Sequence, residues 1–193
     1  MEKVEYNKQT KLSEHYTLGE LTKTSVNSLD GNIPGLEEIE NLKRLCPWLE
    51  ELRARYNELY VSLPLQGEME EVTKQQNGRP PLTPPVGGGK EGLSVGGGKE
   101  EPIIITSGYR SPEVNRCVGG AYSSNHLTGC AVDIRCVGVE QAIRYAAILL
   151  DTADDWKKEY DELFIERNRK GHYWVHFAVR PKDNRRKTMF LQA

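Results

Sequence analysis

The stretch from residue 63 to 101 limits what this chain can fold into, because glycine and proline are concentrated there. It includes two copies of Val-Gly-Gly-Gly-Lys-Glu, at 86–91 and 95–100. Proline cannot donate to a hydrogen-bond ladder and glycine weakens helices and strands, so this composition is incompatible with a helix or a central strand. We interpret it as a flexible low-complexity insertion between an N-terminal helical segment, residues 1–62, and a core segment, residues 102–193.

Apolar side chains recur at spacings of three or four across residues 36–59, which is the pattern of an amphipathic helix. Pro47 interrupts this pattern, so we expect two helices or a kink after Cys46. Upstream, Thr17 and Glu20 have the spacing of a capping box, which predicts a short helix. We expect these helices to support the rest of the protein by packing and to carry no chemistry.

The core segment shows strand and helix patterns in turn. A β-branched run at 103–105 predicts a buried strand, and Pro112 is suited to the first turn of a helix. Residues 129–137 alternate between an apolar face and a face that carries Asp133, as a half-buried strand does. Apolar residues at helical spacing over 139–150 then predict a helix that packs on the sheet.

The sequence pattern predicts a hairpin with one strand at 163–167 and the other at 172–180. Matching their apolar faces pairs Glu166 with Trp174, because a slip of one residue would turn every side chain to the other face. The slipped register would bury the carboxylate of Glu166 among aliphatic side chains, which is costly unless the charge is neutralised. We therefore predict that Glu166 shares a face with His176.

Three residues of the core segment have the chemistry of a metal site: His126, Asp133 and His176. Two imidazoles and one carboxylate form a three-ligand set that leaves a fourth position open, as in catalytic zinc sites, whereas structural zinc sites close all four. A single histidine is more often a packed or surface residue, so the prediction depends on the three together. We expect one zinc ion per chain and a zinc peptidase.

Other polar residues suggest roles around such a metal. A carboxylate beside the activated water can take its proton and pass it to the leaving amine, and Glu166 is our candidate. Its neighbour Trp174 would help to exclude water, which keeps the pKa of Glu166 raised. Trp174 is also a candidate for contact with the substrate. Arg110 offers a planar fork for a substrate carboxylate or an oxyanion, and Ser124 offers a hydrogen bond to the substrate. His172 is a weaker candidate for assisting a proton transfer.

Three motifs occur in a characteristic order: Ser-Gly-Tyr-Arg-Ser at 107–111, Ser-x-His-x-x-Gly-x-Ala-x-Asp at 124–133, and Trp-x-His at 174–176. Together they closely resemble the M15 family of zinc peptidases, which comprises D-alanyl-D-alanine carboxypeptidases and phage endolysin relatives. The resemblance covers residues 103–179. It implies an α+β fold of the hedgehog-like type, in which helices flank a small antiparallel sheet and the zinc lies in a groove on that sheet.

The resemblance also implies roles for individual residues. It makes His126, Asp133 and His176 the zinc ligands. It casts Arg110 as the arginine that binds substrate or oxyanion, and Ser124 as a substrate contact. The implied reaction is hydrolysis of a peptidoglycan stem peptide by a metal-activated water, at D-Ala-D-Ala or at another bond near a D-centre.

One position departs from the family pattern. Three residues before the last zinc histidine, better-known branches carry an acidic general base, but this chain has Tyr173. Either Glu166 replaces that acid, or the protein is a catalytically weak, zinc-stabilised cell-wall binding module. A third alternative, a cysteine hydrolase that uses Cys130 or Cys117, is disfavoured because the alternation turns Cys130 towards the core.

Composition excludes other classes. The 26 basic and 28 acidic residues nearly cancel, so the chain lacks the basic footprint of a nucleic-acid-binding protein. There is no apolar run of membrane-spanning length and no signal-peptide pattern at the start. We expect synthesis in the cytoplasm and action on the cell wall after release, in a phage or mobile-element context. The sequence leaves the oligomeric state open.

Overall fold

The computed structural model of the protein describes residues 7–61 and 100–192, which form an α+β fold. The helices are α1 (Leu18–Leu21), α2 (Leu36–Tyr56), a π-helical turn (Asn57–Val61), α3 (Pro112–Cys117), a 3-10 turn (Asn125–Thr128) and α4 (Val139–Trp156). The strands are β1 (Ile105–Ser107), β2 (Ala131–Cys136), β3 (Glu162–Arg167), β4 (Tyr173–Ala178) and β5 (Lys187–Gln192). The insertion predicted at 63–101 lies outside the described residues except for its last two positions.

The strands form one mixed sheet in the order β1-β2-β4-β3-β5. Adjacent strands are antiparallel except for β5, which pairs with β3 in parallel. The expected purely antiparallel sheet is therefore wrong at this edge. After β4 the chain turns back to the beginning of β3, where Lys187 donates its N–H to the Asp161 carbonyl, so β5 must run in the direction of β3.

The predicted register of the β3–β4 hairpin is confirmed. Glu166 lies opposite Trp174, and Ile165 lies opposite Val175 on the core side. The alternation predicted for β2 is also confirmed, because Val132 and Ile134 lie in the core while Asp133 lies on the other face. The sheet therefore presents one apolar face to α2 and α4 and one polar face to the candidate site.

Two predicted element boundaries need correction. The strand expected at 103–105 begins only at Ile105, and Ile104 is exposed. In α4 the buried stripe is rotated from the predicted one, since Val139 and Ile143 are exposed while Tyr145 is buried. Both differences arise because tertiary contacts, rather than the spacing of aliphatic residues alone, select the buried face.

Helix α2 runs through Pro47 without a break, so the alternative of two separate helices is wrong. A proline inside a helix removes one hydrogen bond to the carbonyl four residues earlier, here that of Lys43. Both Pro47 and Lys43 are exposed, so water can satisfy that carbonyl. On the opposite side, Trp48 and Leu49 are buried in the core and hold the helix in place. Among the described residues, no helix is both long and apolar enough to cross a membrane.

The N-terminal helices frame the loops of the core segment. The predicted capping box of α1 is confirmed by hydrogen bonds between Thr17 and Glu20. At the end of α1, the Leu21 carbonyl accepts a hydrogen bond from the Tyr109 N–H at 2.8 Å. From α2, the side-chain amide of Asn41 donates to the carbonyl of Thr128 at 2.8 Å. These contacts fix the loop that contains Tyr109 and the end of the 3-10 turn that carries His126.

The end of α2 is joined directly to the chain that leads into β1. The Asn57 side chain accepts from the Glu101 N–H at 2.6 Å and donates to the Glu101 carbonyl at 3.0 Å. Beside this pair, Arg53 forms an ion pair with Glu100 at 2.6 Å. Residues 57 and 101, which are far apart in sequence, are therefore neighbours in the fold.

The contact of Gly129 with α2 can be tested by substitution. Gly129 has φ +69°, and a Cβ there would lie 2.5 Å from the Glu38 carbonyl oxygen. Gly119 has a similar φ of +73° but open space around it. Gly119→Ala should cost about 1–2 kcal/mol of unfolding free energy from the left-handed conformation alone. Gly129→Ala should cost a further ~1–3 kcal/mol from overpacking, measured by urea unfolding. Equal losses in the two variants would contradict this packing argument.

Candidate metal centre and active site

The three predicted ligands converge on the polar face of the sheet. His126 comes from the 3-10 turn, Asp133 from β2 and His176 from β4, where it lies directly opposite Asp133. His126 Nε2 is 3.2 Å from both Asp133 Oδ1 and His176 Nδ1, and the last two atoms are 3.0 Å apart. All three side chains are buried.

This triangle has the dimensions of a metal site. Ligand atoms that lie about 2.0–2.1 Å from a tetrahedral zinc ion are separated from one another by roughly 3.3–3.4 Å. The observed separations are slightly shorter, and each atom belongs to a residue type that binds zinc. The three residues also line a cavity of about 500 Å³, which leaves space for a fourth ligand. The group therefore fits a metal ion with one position open to the cavity.

Each candidate ligand is oriented by a further contact. His126 Nδ1 lies 2.6 Å from the Gly108 carbonyl, which can only accept, so Nδ1 carries the proton and Nε2 keeps its lone pair for a metal. On the far side of His176, Nε2 lies 3.4 Å from Glu162 Oε2. Asp133 Oδ2 accepts a hydrogen bond from Arg110 Nη2. Such outer contacts fix the ring orientation and the tautomer of metal-binding histidines.

Electrostatics distinguishes the two histidines in the metal-free protein. Burial lowers the pKa of His126, so its ring is neutral at neutral pH. Burial also opposes the charge on Asp133, but its contact with the protonated ring of His176 outweighs this and holds the pKa of the carboxyl well below its usual value. Burial disfavours charge on His176 as well, yet hydrogen bonds to Asp133 and Glu162 raise its pKa to about 9.

Two carboxylates from β3 lie on the same face as His176, and they differ sharply in their surroundings. Glu162 contacts His176, accepts from Asn125 Nδ2 at 2.9 Å and pairs with Arg185 at 2.6 Å. Its pKa is lowered, chiefly by the hydrogen bond to His176. Glu166 lines the cavity, and within the described part of the chain its carboxylate has no hydrogen bond or ion pair. Burial raises the pKa of Glu166.

Glu162 is a residue that the sequence analysis missed. The predicted strand began one residue later, at 163, which left Glu162 outside the hairpin. A signal was present, because period-two alternation from Glu166 places residue 162 on the same face. Between the two acids, Phe164 stacks on the His176 ring with centroids 5.5 Å apart and helps to fix its orientation.

A buried acid beside Glu162 ties the end of the chain to the site. Asp161 is fully buried and accepts two hydrogen bonds from the Arg185 guanidinium, at 2.8 and 2.7 Å. It also accepts from Asn125 Nδ2 at 2.7 Å. Arg185 thus bridges Asp161 and Glu162, and Glu162 in turn contacts His176. The sequence analysis assigned no role to Asp161, Asn125 or Arg185, which no local motif identifies.

The remaining predicted residues also lie at or near the cavity. Arg110, Ser124 and Trp174 line it together with the ligands. Arg110 holds Asp133 and donates from Nε to Ser107 Oγ at 2.7 Å. The Ser124 hydroxyl accepts the His126 N–H at 3.3 Å, so it caps the turn that carries this ligand. The structure therefore adds a positioning role to both residues.

Three other residues lie away from the ligands. His172 lines an adjacent cleft and is absent from the lining of the metal cavity. Tyr173 packs against the core and lies on the face of β4 opposite to His176, so an acid at that position would not face the cavity. Cys130 is buried, which raises the pKa of its thiol, and this argues against a nucleophilic role.

Metal binding should depend on pH through His176. Its pKa of about 9 makes it protonated at neutral pH in the metal-free protein, whereas His126 is already neutral and Asp133 already ionised. A metal-binding imidazole must lose its proton, so metal affinity should increase from neutral pH up to about pH 9, with about one proton released per ion. Zinc titration calorimetry in buffers of different ionisation enthalpy measures this release. An affinity that is independent of pH over this range would contradict the assignment.

The effect of Arg185 on metal binding can be separated from the general effect of removing a positive charge. Loss of an outer contact to a metal ligand typically weakens metal binding about 10–100-fold. Because Arg185 acts on His176 through Glu162, we expect Arg185→Gln to weaken zinc affinity by about tenfold, at the lower end of this range. The matched control is Arg186→Gln, since Arg186 pairs instead with Asp154 and Glu159. Competition with a chelating dye measures both affinities, and similar values for the two variants would refute the role.

Comparison with known proteins agrees with this geometry. The family model described as Peptidase M15 matches residues 96–165, which include Arg110, His126 and Asp133 and end before His176. The matched segment is somewhat more than a third of the chain. No curated protein matches the chain significantly. The match supports an assignment to the peptidase M15 family over residues 96–165.

Proposed function

We propose that the protein is a zinc-dependent peptidase that hydrolyses peptidoglycan stem peptides, as a D-Ala-D-Ala carboxypeptidase or an endopeptidase. The peptidase class is supported by the family match over residues 96–165, and zinc is supported by the His-Asp-His group. The stem-peptide substrate and the hedgehog-like type of the fold are proposed from the motif resemblance. As in the sequence analysis, we expect the protein to act on the cell wall after its release.

The observation that carries the proposal is the contrast between Glu162 and Glu166. Glu162 is engaged by three partners and stays ionised, which suits a residue that holds His176 in place. Glu166 is unpaired among the described residues, faces the same cavity and has a raised pKa. Acids whose environments separate their pKa values in this way are suited to different roles, and a raised pKa suits proton transfer near neutral pH.

We assign the chemical steps to residues of the chain accordingly. When bound, the zinc ion supplies Lewis-acid polarisation of the scissile carbonyl and lowers the pKa of a water in its open position. Glu166 accepts a proton from the attacking water and then delivers it to the nitrogen of the leaving amine. Trp174 lies opposite Glu166 on β4 and limits access of bulk water to this carboxylate.

Arg110 and Ser124 complete the proposed site. Two nitrogens of Arg110 are engaged, Nε with Ser107 and Nη2 with Asp133. In the described residues its Nη1 has no partner, and this donor is our candidate for stabilising the developing oxyanion. Ser124 lines the same cavity and offers its hydroxyl hydrogen, since its oxygen already accepts from the His126 N–H.

The proposal predicts a specific effect of Glu166→Gln. General acid–base catalysis typically contributes about 10²–10⁴-fold, so kcat for a stem pentapeptide should fall by at least ~100-fold. Zinc content should stay at one ion per chain, because Glu166 does not belong to the ligand group. Mass spectrometry of the products and metal analysis of the purified variant measure the two quantities. A chelator, or His176→Ala, should abolish cleavage together with zinc binding.

Glu162→Gln is the matched control, because it makes the same change four residues earlier, on the same face of β3. It should weaken zinc binding, with cleavage partly restored by added zinc. Loss of a terminal alanine from the pentapeptide would identify a carboxypeptidase, and an internal cut an endopeptidase. Cleavage that persists in Glu166→Gln would rule out this residue as the base. Zinc and peptide binding without any cleavage would favour the catalytically weak binding module.

A further inference from the structure

A second cleft adjoins the metal cavity at the end of the sheet where β2 ends and β4 begins. It has a volume of about 500 Å³ and is lined by residues from β1, the end of β2, the hairpin turn and the beginning of β4. Trp174 lines both the cleft and the metal cavity, so the two are adjacent across this side chain. Polar side chains of Thr106, Arg135, His172 and Tyr173 also line the cleft.

Strand geometry fixes the spacing between this cleft and the metal centre. Arg135 follows Asp133 by two residues on β2 and lies opposite Trp174, just as Asp133 lies opposite His176. Two residues along a strand correspond to about 7 Å, and their side chains point to the same face. An extended peptide that has its scissile bond at the metal centre would cover that distance with about two residues.

Arg135 is available to a ligand. Its side chain is exposed, and within residues 7–61 and 100–192 it has no hydrogen bond, ion pair or ring contact. Arg110, the guanidinium expected to bind a substrate carboxylate, is instead engaged with Asp133 and Ser107. Arg135 is thus a guanidinium beside the site whose whole planar fork can bind a carboxylate in two parallel hydrogen bonds.

The two cavities differ in charge. The metal cavity is lined by three carboxylates, those of Asp133, Glu162 and Glu166, and by the guanidinium of Arg110, which is already paired with Asp133. No Asp or Glu lines the adjacent cleft, where Arg135 and His172 are the basic side chains. A carboxylate of a bound peptide would therefore be attracted to the cleft.

We propose that this cleft is an extension of the active site in which Arg135 binds a carboxylate of the peptide substrate, about two to three residues from the scissile bond. The inference rests on the proposed peptidase function and makes anionic peptides the preferred substrates. In a stem pentapeptide two carboxylates can lie at this separation: the free α-carboxylate of the D-glutamate from a cut at D-Ala-D-Ala, and the C-terminal carboxylate from an internal cut. Trp174 forms the wall across which the peptide passes between the two cavities.

The test combines peptide amidation with substitution of Arg135. Three pentapeptides are compared: the free acid, the form amidated at the glutamate, and the form amidated at the C-terminus. For wild type, amidation of the recognised carboxylate should lower kcat/KM about tenfold, near the lower end for a charge-assisted hydrogen bond because the cleft is open to water. Arg135→Gln should show that loss with the free acid and no further loss on the same amidation. Arg135→Lys should restore part of the preference.

Arg169→Gln is the matched control, because Arg169 is exposed on the same hairpin turn but lies outside the cleft lining. It should retain the wild-type preference. The same peptides are titrated into zinc-loaded Glu166→Gln, with and without Arg135→Gln, to obtain Kd without turnover. These binding data test the role of Arg135 even if the peptides are not cleaved.

The outcomes separate this inference from the proposed function. Cleavage with an amidation effect that is unchanged in Arg135→Gln would overturn the role of Arg135 and leave the peptidase function intact. Binding without cleavage, with the carboxylate preference lost in Arg135→Gln, would support the cleft and overturn the catalytic proposal. Absence of both binding and cleavage would overturn both.

Discussion

The carboxylate of Asp133 is the group on which the arrangement of the site depends. One of its oxygens lies within 3.2 Å of both candidate imidazole ligands, and the other is held by Arg110. A buried carboxylate is tolerated only when it is paired and hydrogen-bonded, so its partners must be in place whenever the protein is folded. The cross-strand pairing of Asp133 with His176 therefore links the order of the sheet directly to the geometry of the candidate metal centre.

The N-terminal helices contribute to the site without lining it. The hydrogen bond from Tyr109 to the Leu21 carbonyl and the close approach of Gly129 to Glu38 hold the two loops that flank His126. The Gly108 carbonyl, which orients the His126 ring, belongs to one of these loops. The packing role predicted for the helices is consistent with these contacts, which connect the helices directly to His126, the first candidate ligand.

The sequence was sufficient for features that depend on local periodicity. Alternation along β2 and the matching of apolar faces across the hairpin led to the correct faces for Asp133 and Glu166, because a wrong register would bury charge. Tertiary features were less accessible. Strand β5 depends on a turn after β4 that has no periodic signal, and Arg185 reaches Asp161 only because of that turn. The continuity of α2 through Pro47 likewise depends on packing of the opposite helix face.

The hydrogen bonds between Asn57 and Glu101 hold together the two positions of the fold that flank the long glycine- and proline-rich stretch. With its two ends fixed side by side, extra chain between them costs only closure entropy, which grows slowly with length. Lengthening or shortening that stretch therefore need not displace β1 or the loop of Arg110. These hydrogen bonds make this position suitable for insertion, deletion or exchange of sequence, including a whole domain, without a change in the candidate site.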